Sequence, residues 1–168
     1  MTMPRNPLPL PELDILNETF RIERDGRIVN RISRTSRKKG SYADAHFRAG
    51  YRTVYVAGKL RFAHRIIWKM IHGFDPNFID HIDGNILNNR PSNLREATNS
   101  QNKMNSGPYK NNTSGTKGVH RRSDSGLWRA YISHNGKRVW LGQFLLLDAA
   151  IAAVETARTN FHGQYRKL

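Results

Sequence analysis

The stretch 78–105, which reads FIDHIDGNILNNRPSNLREATNSQNKMN, constrains the fold more than any other part of the chain. Apolar residues on both sides of Asp80 and His81 predict a short strand, and the Asp-Gly pair ending at Gly84 predicts the turn that closes it. Residues 94–97 predict a second strand that can pair with the first. We therefore expect two short strands joined by an irregular polar loop.

A helix is predicted directly after the second strand. Thr98 has Gln101 three residues later, which is the spacing of a capping box at a helix start. The local order is strand, loop, strand, helix. In the first strand, neighbouring side chains leave on opposite faces, so Asp80 and His81 are free to serve different purposes.

This pattern resembles the HNH, or ββα-metal, endonuclease motif in the His-Asn-Asn variant found in phage and intron-encoded homing endonucleases. The matching residues are the Asp80–His81 pair, Asn93 and Asn102, within the strings DHIDGN, NNRPSNLR and QNKMN. The resemblance implies that Asp80 and Asn102 bind a metal ion and that His81 is the general base. It implies that Asn93 ties the loop and orients His81.

Phosphodiester cleavage needs an activated water and positive charge at the scissile phosphate. Carboxylate and amide oxygens are hard donors, so the implied ligands suit Mg²⁺ or Mn²⁺. Asn102 stands where many relatives carry His, which argues against zinc. The ordinary pKa of His81 lies near neutrality, as a general base requires. Alternatively, an isolated pair of this kind would be a half-buried strand histidine beside an acid that flanks a turn.

The residues before the motif predict an arm, two hairpins and a helix. Residues 1–13 are rich in proline and predict an extended arm. Residues 20–30 predict a hairpin with an Asp-Gly turn, and residues 50–62 predict another that turns near Gly58. A helix is predicted over Ala63–His72. With the motif, these elements predict a nuclease domain over residues 14–105.

Two polar residues open that helix. Arg65 has two interpretations, a contact with the scissile DNA strand or a structural pair, and the sequence does not separate them. His64 is better interpreted as a structural hydrogen-bonding residue at the start of the helix.

The chain changes character after the motif. Residues 106–113 begin a polar, turn-rich linker, and residues 114–168 predict a second domain. That domain is expected to contain three strands and an Ala-rich helix beginning near Leu147. The predicted strands cover residues 117–122, 127–133 and 137–144.

The second domain resembles the APETALA2/ethylene-response-factor (AP2/ERF) type of DNA-binding domain. The strings that carry the resemblance are KGVHRR, WRAYI, RVWLGQF and DAAIAAVETA. The resemblance implies a three-stranded antiparallel sheet packed on one helix, with the sheet in the major groove. Its DNA-facing positions match or adjoin Lys117, His120, Arg122, Arg129, Tyr131, Arg138 and Trp140. Because His120 stands where arginine is usual, no sequence preference is carried over.

Composition points to a polyanionic partner. The 168 residues carry a formal net charge of +15 with a pI near 10.8, and the excess of cations is largest on both sides of the motif. Double-stranded DNA is the expected partner. The absence of an apolar run of membrane-spanning length argues against a membrane. The chain has no cysteine, which excludes disulfides and thiol catalysis.

We therefore predict an α+β, two-domain, metal-dependent endonuclease of the phage or homing type. It is expected to be a soluble cytoplasmic protein of a phage-infected bacterium, with a monomer favoured. One active site per chain would cut one strand, so a monomer should nick duplex DNA. The alternatives are a non-catalytic DNA-binding regulator with a decayed nuclease motif and a nonspecific toxin-like nuclease.

Overall fold

The computed structural model describes residues 8–108, 111–134 and 136–162. Packing divides the chain into a first unit, Met1–Ala97, and a second unit, Thr98–Leu168. The α+β fold class predicted from the sequence is confirmed, with helices and several small antiparallel sheets. Within the described ranges, no helix has the length and apolar character needed to cross a membrane.

The described residues of the first unit form two α-helices, a short 3-10 helix (Pro91–Asn93) and three small sheets. Strands β1 and β2 pair with each other, β3, β4 and β5 form a three-stranded sheet in that order, and β6 pairs with β7. The elements are α1 (Leu13–Thr19), β1 (Phe20–Ile22), β2 (Ile28–Asn30), β3 (His46–Arg48), β4 (Tyr51–Val56), β5 (Lys59–Phe62), α2 (Ala63–His72), β6 (Ile79–His81) and β7 (Leu94–Glu96).

Both predicted hairpins and the predicted helix are confirmed. The β1–β2 turn places Gly26 at φ +81°, and the β4–β5 turn has positive φ at Ala57 and Gly58, as a tight two-residue turn between twisted strands requires. Helix α2 ends at His72 because Gly73 adopts the left-handed conformation. Helix α1 and strand β3 were not predicted from the sequence.

The core of the first unit lies between α2 and the sheets. Ile66 and Ile67 of α2 and Val54 of β4 are fully buried, together with Leu16 of α1 and Phe20 of β1. Burial of each such large apolar side chain stabilises the folded state by about 1.5–3 kcal/mol. This core fixes α2 against the strands and so fixes the first residues of α2 beside β6.

In the part of the second unit that the structure describes, a short helix is followed by a three-stranded antiparallel sheet in the order β10-β9-β8 and by a long helix. Its core consists of small and branched residues, Val119, Ala130, Ala150 and Val154, with Trp128 packed against it. The small alanines allow the long helix to approach the sheet closely. The elements are α3 (Asn99–Asn105), β8 (Val119–Arg121), β9 (Trp128–His134), β10 (Lys137–Phe144) and α4 (Leu147–His162).

Parts of four predictions lie outside the described residues. They are residues 1–7 of the predicted arm, residues 109 and 110 of the predicted linker, Asn135 of the predicted turn between β9 and β10, and residues 163–168 of the predicted second domain. The predicted domain limits, 14–105 and 114–168, stay predictions, while the packing places α3 in the second unit.

Candidate active site and nucleic-acid interface

The antiparallel pair β6–β7 presents the two residues on which the predicted chemistry depends. Its register sets Asp80 opposite Arg95 and His81 opposite Leu94. Because strand side chains alternate, Asp80 and His81 lie on opposite faces of the pair. Both are almost completely buried, with 3% and 5% of their surface exposed.

Asp80 is paired with Arg95 across the two strands. Arg95 donates from Nε at 2.8 Å and from Nη2 at 2.6 Å, both to Oδ2 of Asp80. The pair is well shielded from solvent, since the Arg95 side chain is only 15% exposed. A buried carboxylate is tolerated when it is paired and hydrogen-bonded. The guanidinium therefore holds the Asp80 side chain in a defined orientation.

His81 is held from the other face by Asn89. The distance from Nε2 of His81 to Oδ1 of Asn89 is 3.0 Å, and this hydrogen bond is buried. With an amide oxygen as acceptor, Nε2 carries the proton and Nδ1 keeps the basic lone pair. The sequence prediction gave the orienting role to Asn93, whereas this contact is made by Asn89.

A cluster of rings encloses His81. The His64 ring lies edge-on to it with 5.3 Å between ring centroids, and Tyr51 lies 6.2 Å away. Phe62 stacks on His64 at 5.6 Å. These rings come from β4, β5 and the first turn of α2, so the wall of the site is built from all three elements.

Burial in this cluster shifts the pKa of each titratable ring. Burial lowers the pKa of His81, although the hydrogen bond to Asn89 and the charge of Asp83 act in the opposite sense. The pKa of His64 lies well below its ordinary value because the ring is buried, with the positive charge of a protonated His81 as a further cause. Burial, followed by the charge of Asp80, raises the pKa of Tyr51. Both histidines are therefore neutral at neutral pH.

Asn93 makes several hydrogen bonds within the loop between the two strands. Its Nδ2 donates to Oδ1 of Asp83 at 2.9 Å and to the carbonyl of Asn88 at 2.8 Å. Its Oδ1 accepts from the backbone N–H of Asp83 at 3.1 Å, and its carbonyl accepts from the N–H of Ile82. One side chain thus holds both ends of the loop that carries Asn89.

The turn of the first hairpin presses on the same loop. A Cβ atom at Gly26 would lie 2.3 Å from the backbone of Asn89 and Arg90, and the φ of +81° favours glycine as well. No other residue type fits there without moving the loop backbone. The β1–β2 hairpin therefore sets the position of Asn89.

Arg65 is buried on α2 and donates from Nη1 to the carbonyl of Asn77 at 3.2 Å. This contact ties α2 to the segment that leads into β6. A contact between Arg65 and the scissile strand stays a prediction.

Asn102 lies on α3. The predicted capping box is present at the start of this helix, with Thr98 accepting from the N–H of Gln101 and Gln101 accepting from the N–H of Thr98. Local sequence therefore fixes where the helix begins, and with it the helical position of Asn102.

The sheet of the second unit gathers five of the seven predicted DNA-binding residues on one face. The register pairs His120 with Arg129 and Tyr131 with Trp140, opposite to the face that packs on α4. The guanidinium of Arg138 lies over the Tyr131 ring at 4.3 Å, and that of Arg129 lies 5.9 Å from the Trp140 ring. We call these five residues, His120, Arg129, Tyr131, Arg138 and Trp140, the outer face.

Lys117 and Arg122 do not belong to the outer face. Arg122 pairs with Asp124 in the turn between β8 and β9. The ammonium group of Lys117 contacts the carbonyl oxygens of Lys103 and Ser106 at the end of α3.

Residues 61–104 match the family model described as HNH endonuclease. The chain is also 34% identical over 123 residues to Protein 3.8 of Escherichia phage T7, an alignment that covers 72% of this chain and 98% of that protein. The chain belongs to the family of Protein 3.8. Its residues 61–104 form an HNH endonuclease domain, for which a nucleic acid is the substrate class.

A second relative is the uncharacterized HNH endonuclease L560 of Acanthamoeba polyphaga mimivirus, 40% identical over 92 residues. That alignment covers 53% of this chain and 46% of the mimivirus protein. No solved structure matches the chain. The matched HNH segment begins in β5 and ends in α3, so it contains Asp80, His81, Asn93 and Asn102.

HNH endonucleases are generally dependent on a divalent metal, and the donors of this domain fit a hard cation. Asp80 offers a buried carboxylate and Asn102 an amide oxygen. Among the described residues, no three His, Asp or Glu side chains form a metal-binding group. Mg²⁺ is usually held by one or two carboxylates and keeps several waters, so oxygen donors of this kind suit it. A closed zinc site would need more protein ligands.

Sequence reasoning missed Arg95, Asn89, Tyr51 and the ring contact of His64. Arg95 had a usable signal, since pairing the two predicted strands from Ile79 and Glu96 inwards sets it opposite Asp80. The other contacts join residues from separate elements and left no local pattern.

Proposed function

We propose that the protein is a metal-dependent endonuclease that nicks double-stranded DNA. The observation that carries this proposal is the buried Asp80–His81 pair, whose two side chains are held from opposite faces by Arg95 and Asn89. A carboxylate and a neutral imidazole, fixed at adjacent positions of one strand, provide a metal ligand and a base. An accidental surface pair would lack these buried partners.

His81 acts as the general base in this proposal. Because Nε2 donates to Asn89, Nδ1 takes the proton from a water as its oxygen attacks the phosphorus. The bond from phosphorus to the leaving sugar oxygen breaks, and that oxygen receives a proton from solvent. The lowered pKa of His81 keeps the ring neutral and ready to accept the proton at neutral pH.

Asp80 and Asn102 would hold the Mg²⁺ or Mn²⁺ ion in this proposal. When bound, such an ion supplies the positive charge that stabilises the phosphate in the transition state. Arg95 keeps the Asp80 carboxylate fixed in this site by two hydrogen bonds to Oδ2. A monomer with one such site cuts one strand.

The outer face is proposed to bind the duplex in the manner of AP2/ERF-type domains. It combines exposed rings with the cationic side chains of Arg129 and Arg138, and a sheet of this width fits the major groove. Rings and guanidinium groups can contact base edges and phosphates together. The formal net charge of +15 supports a polyanionic partner. The phage and mimivirus relatives fit a phage-type endonuclease.

Supercoiled plasmid tests the proposal directly. The intact chain should convert it to the nicked circle with Mg²⁺ or Mn²⁺ and should lose this activity with EDTA. Asp80→Ala and Asn102→Ala should each raise the metal concentration needed for half-maximal nicking. DNA binding without any metal-dependent cleavage would favour the non-catalytic regulator, and random nick positions on a long DNA would favour the nonspecific nuclease.

A further inference from the structure

Helix α3, which carries the proposed metal ligand Asn102, is a short helix. It spans seven residues, Asn99–Asn105. Isolated helices shorter than about 12–15 residues are marginal in water, so a helix of this length needs support from outside itself. The capping box at Thr98 satisfies the first turn only. The carbonyl groups of the last turn need other partners.

Lys117 supplies those partners. Its ammonium group donates to the carbonyl of Lys103, to the carbonyl of Ser106 at 3.3 Å and to Oγ of Ser106 at 2.9 Å. Ser106 Oγ in turn donates to the Lys103 carbonyl at 2.8 Å. A cation at the C-terminal end of a helix is favourable because the carbonyl dipoles point toward it.

Lys117 is itself fixed from behind by α4. Its carbonyl accepts a hydrogen bond at 2.7 Å from Nη2 of Arg158. Lys117 immediately precedes the glycine at 118, whose Cβ position would lie 2.3 Å from the Tyr131 carbonyl oxygen, so the backbone there is packed tightly against β9. The ammonium therefore extends from a rigid part of the sheet domain to α3.

Apolar packing does not replace this contact on the side of α3 that faces the sheet. A cavity of about 530 Å³ lies there, lined by Asn99, Lys103 and Met104 of α3 and by Tyr131 and Ser133 of β9, among others. Side chains across an open cavity make few van der Waals contacts. The polar contacts of Lys117 thus carry a large share of the support of α3.

We propose that Lys117 is a positioning residue for the metal ligand Asn102, acting by clamping the C-terminal end of α3 to the sheet domain. This inference rests on the proposed function, which makes Asn102 a ligand. The sequence resemblance gave Lys117 a DNA-facing position, so the two roles make opposite predictions. In the positioning role, the three ammonium protons are used within the protein, and removing them disturbs metal use rather than DNA affinity.

The test compares three full-length variants. Lys117→Met removes the charge and keeps the stem, Lys117→Arg keeps a cation, and Arg129→Met removes a cation from the outer face of the same sheet, at a position that does not line the cavity beside α3. Amide hydrogen exchange of residues 102–106 is measured without DNA or metal. DNA affinity is measured across salt concentrations without Mg²⁺, and nicking is measured across Mg²⁺ concentrations.

For Lys117→Met we expect faster exchange in α3 and an unchanged melting temperature. We also expect the Mg²⁺ concentration for half-maximal nicking to rise by roughly tenfold or more, the scale seen when residues that orient a ligand are removed. DNA affinity and its salt dependence should stay as in the parent chain. Lys117→Arg should restore the metal response. Arg129→Met should show the reverse pattern, with a shallower salt dependence of DNA binding and unchanged amide exchange in α3.

If amide hydrogen exchange of residues 102–106 is unchanged in Lys117→Met, Lys117 does not clamp the end of α3. If its log-log salt slope also falls by about 0.9, Lys117 is a phosphate contact instead. The exchange measurement needs no catalysis, so it decides on the clamp even if the parent chain fails to nick and the proposed function falls. If the parent chain nicks DNA and the Lys117→Met variant shows the same response to Mg²⁺, the positioning role of Lys117 is overturned while the proposed function stands.

Discussion

The β6–β7 site and the outer face of the second unit use similar residue types in opposite ways. At the site, Asp80 and His81 are buried and each is held by a specific partner. On the outer face, Trp140 is 54% exposed and the cations lie over rings instead of in ion pairs. Burial fixes orientation and shifts pKa values, whereas exposure keeps charge and ring surface accessible to a ligand.

In the proposed function, this difference separates the residues that cleave DNA from the residues that bind it. A buried, neutral histidine can act as a base but adds nothing to the attraction of DNA. An exposed arginine over a ring adds to that attraction but has no fixed target atom. Substitutions in the two regions should therefore change different measured quantities.

The largest effect is expected from His81→Ala. Turnover should fall by roughly 10²-fold or more, the usual scale for loss of a general base, while DNA affinity stays nearly unchanged. Trp140→Ala is the matched variant on the outer face, and it should weaken DNA binding with turnover retained at saturating DNA. Single-turnover nicking and a binding titration measure the two quantities, and rapid nicking by purified His81→Ala removes His81 from the mechanism.

Among substitutions that add one methyl group to the first unit, Gly26→Ala should lower the free energy of unfolding the most. The new Cβ would collide with the backbone of Asn89 and Arg90 and would need an unfavourable φ, which together cost about 3 kcal/mol or more. Gly58→Ala is its control, because that turn is left-handed but open, and only about 1–2 kcal/mol is expected. Urea unfolding compares them; equal losses would mean that the hairpin tip does not press on the loop.

His64 should make stability depend on pH. Its folded pKa is depressed, so below about pH 6.5 the unfolded chain binds a proton that the folded chain does not. Stability is then full above that pH and falls as the pH is lowered, by up to about 1.4 kcal/mol per unit for one histidine. His81 contributes in the same sense.

The His64→Phe variant should flatten this dependence, measured by urea unfolding at several pH values. An unaltered slope in His64→Phe would contradict the buried, neutral state of this ring.

The smallest effect is expected from Arg129→Met. If this arginine contacts one phosphate, the log-log salt slope of DNA binding should become shallower by about 0.9. Arg121→Met is the control, since Arg121 lies on the same sheet but donates from Nε to the Gly126 carbonyl at 3.0 Å. Equal slopes for both variants would show that the outer face is not the DNA-binding side.

Local signals predicted the secondary structure well. The Asp-Gly turn, the capping box at Thr98 and the glycine after His72 each act within a few residues, and each element that they define is present. Helix α1 was missed because it begins next to a proline-rich stretch with no capping side chain. Strand β3 was missed because it has only three residues, too few to establish a period, and all three are exposed.

The partners of the site residues depend on tertiary structure. His64 is 17 positions before His81 and approaches it only because the core packs α2 against the sheets. Asn89 is one of several loop asparagines, and only the folded loop shows which one reaches the imidazole. The shared outer face, in contrast, follows from strand alternation, so five of the seven residues taken from the resemblance lie together.

The Arg95–Asp80 pair also decides how the chain behaves before any metal arrives. A buried carboxylate without a counter-ion would destabilise the metal-free protein, but Arg95 already neutralises it from 2.6 Å. In the proposed function, an ion at Asp80 would therefore be added to a finished fold, unlike in zinc-dependent domains where the metal drives folding. Metal supply would then switch cleavage on and off with no cycle of unfolding.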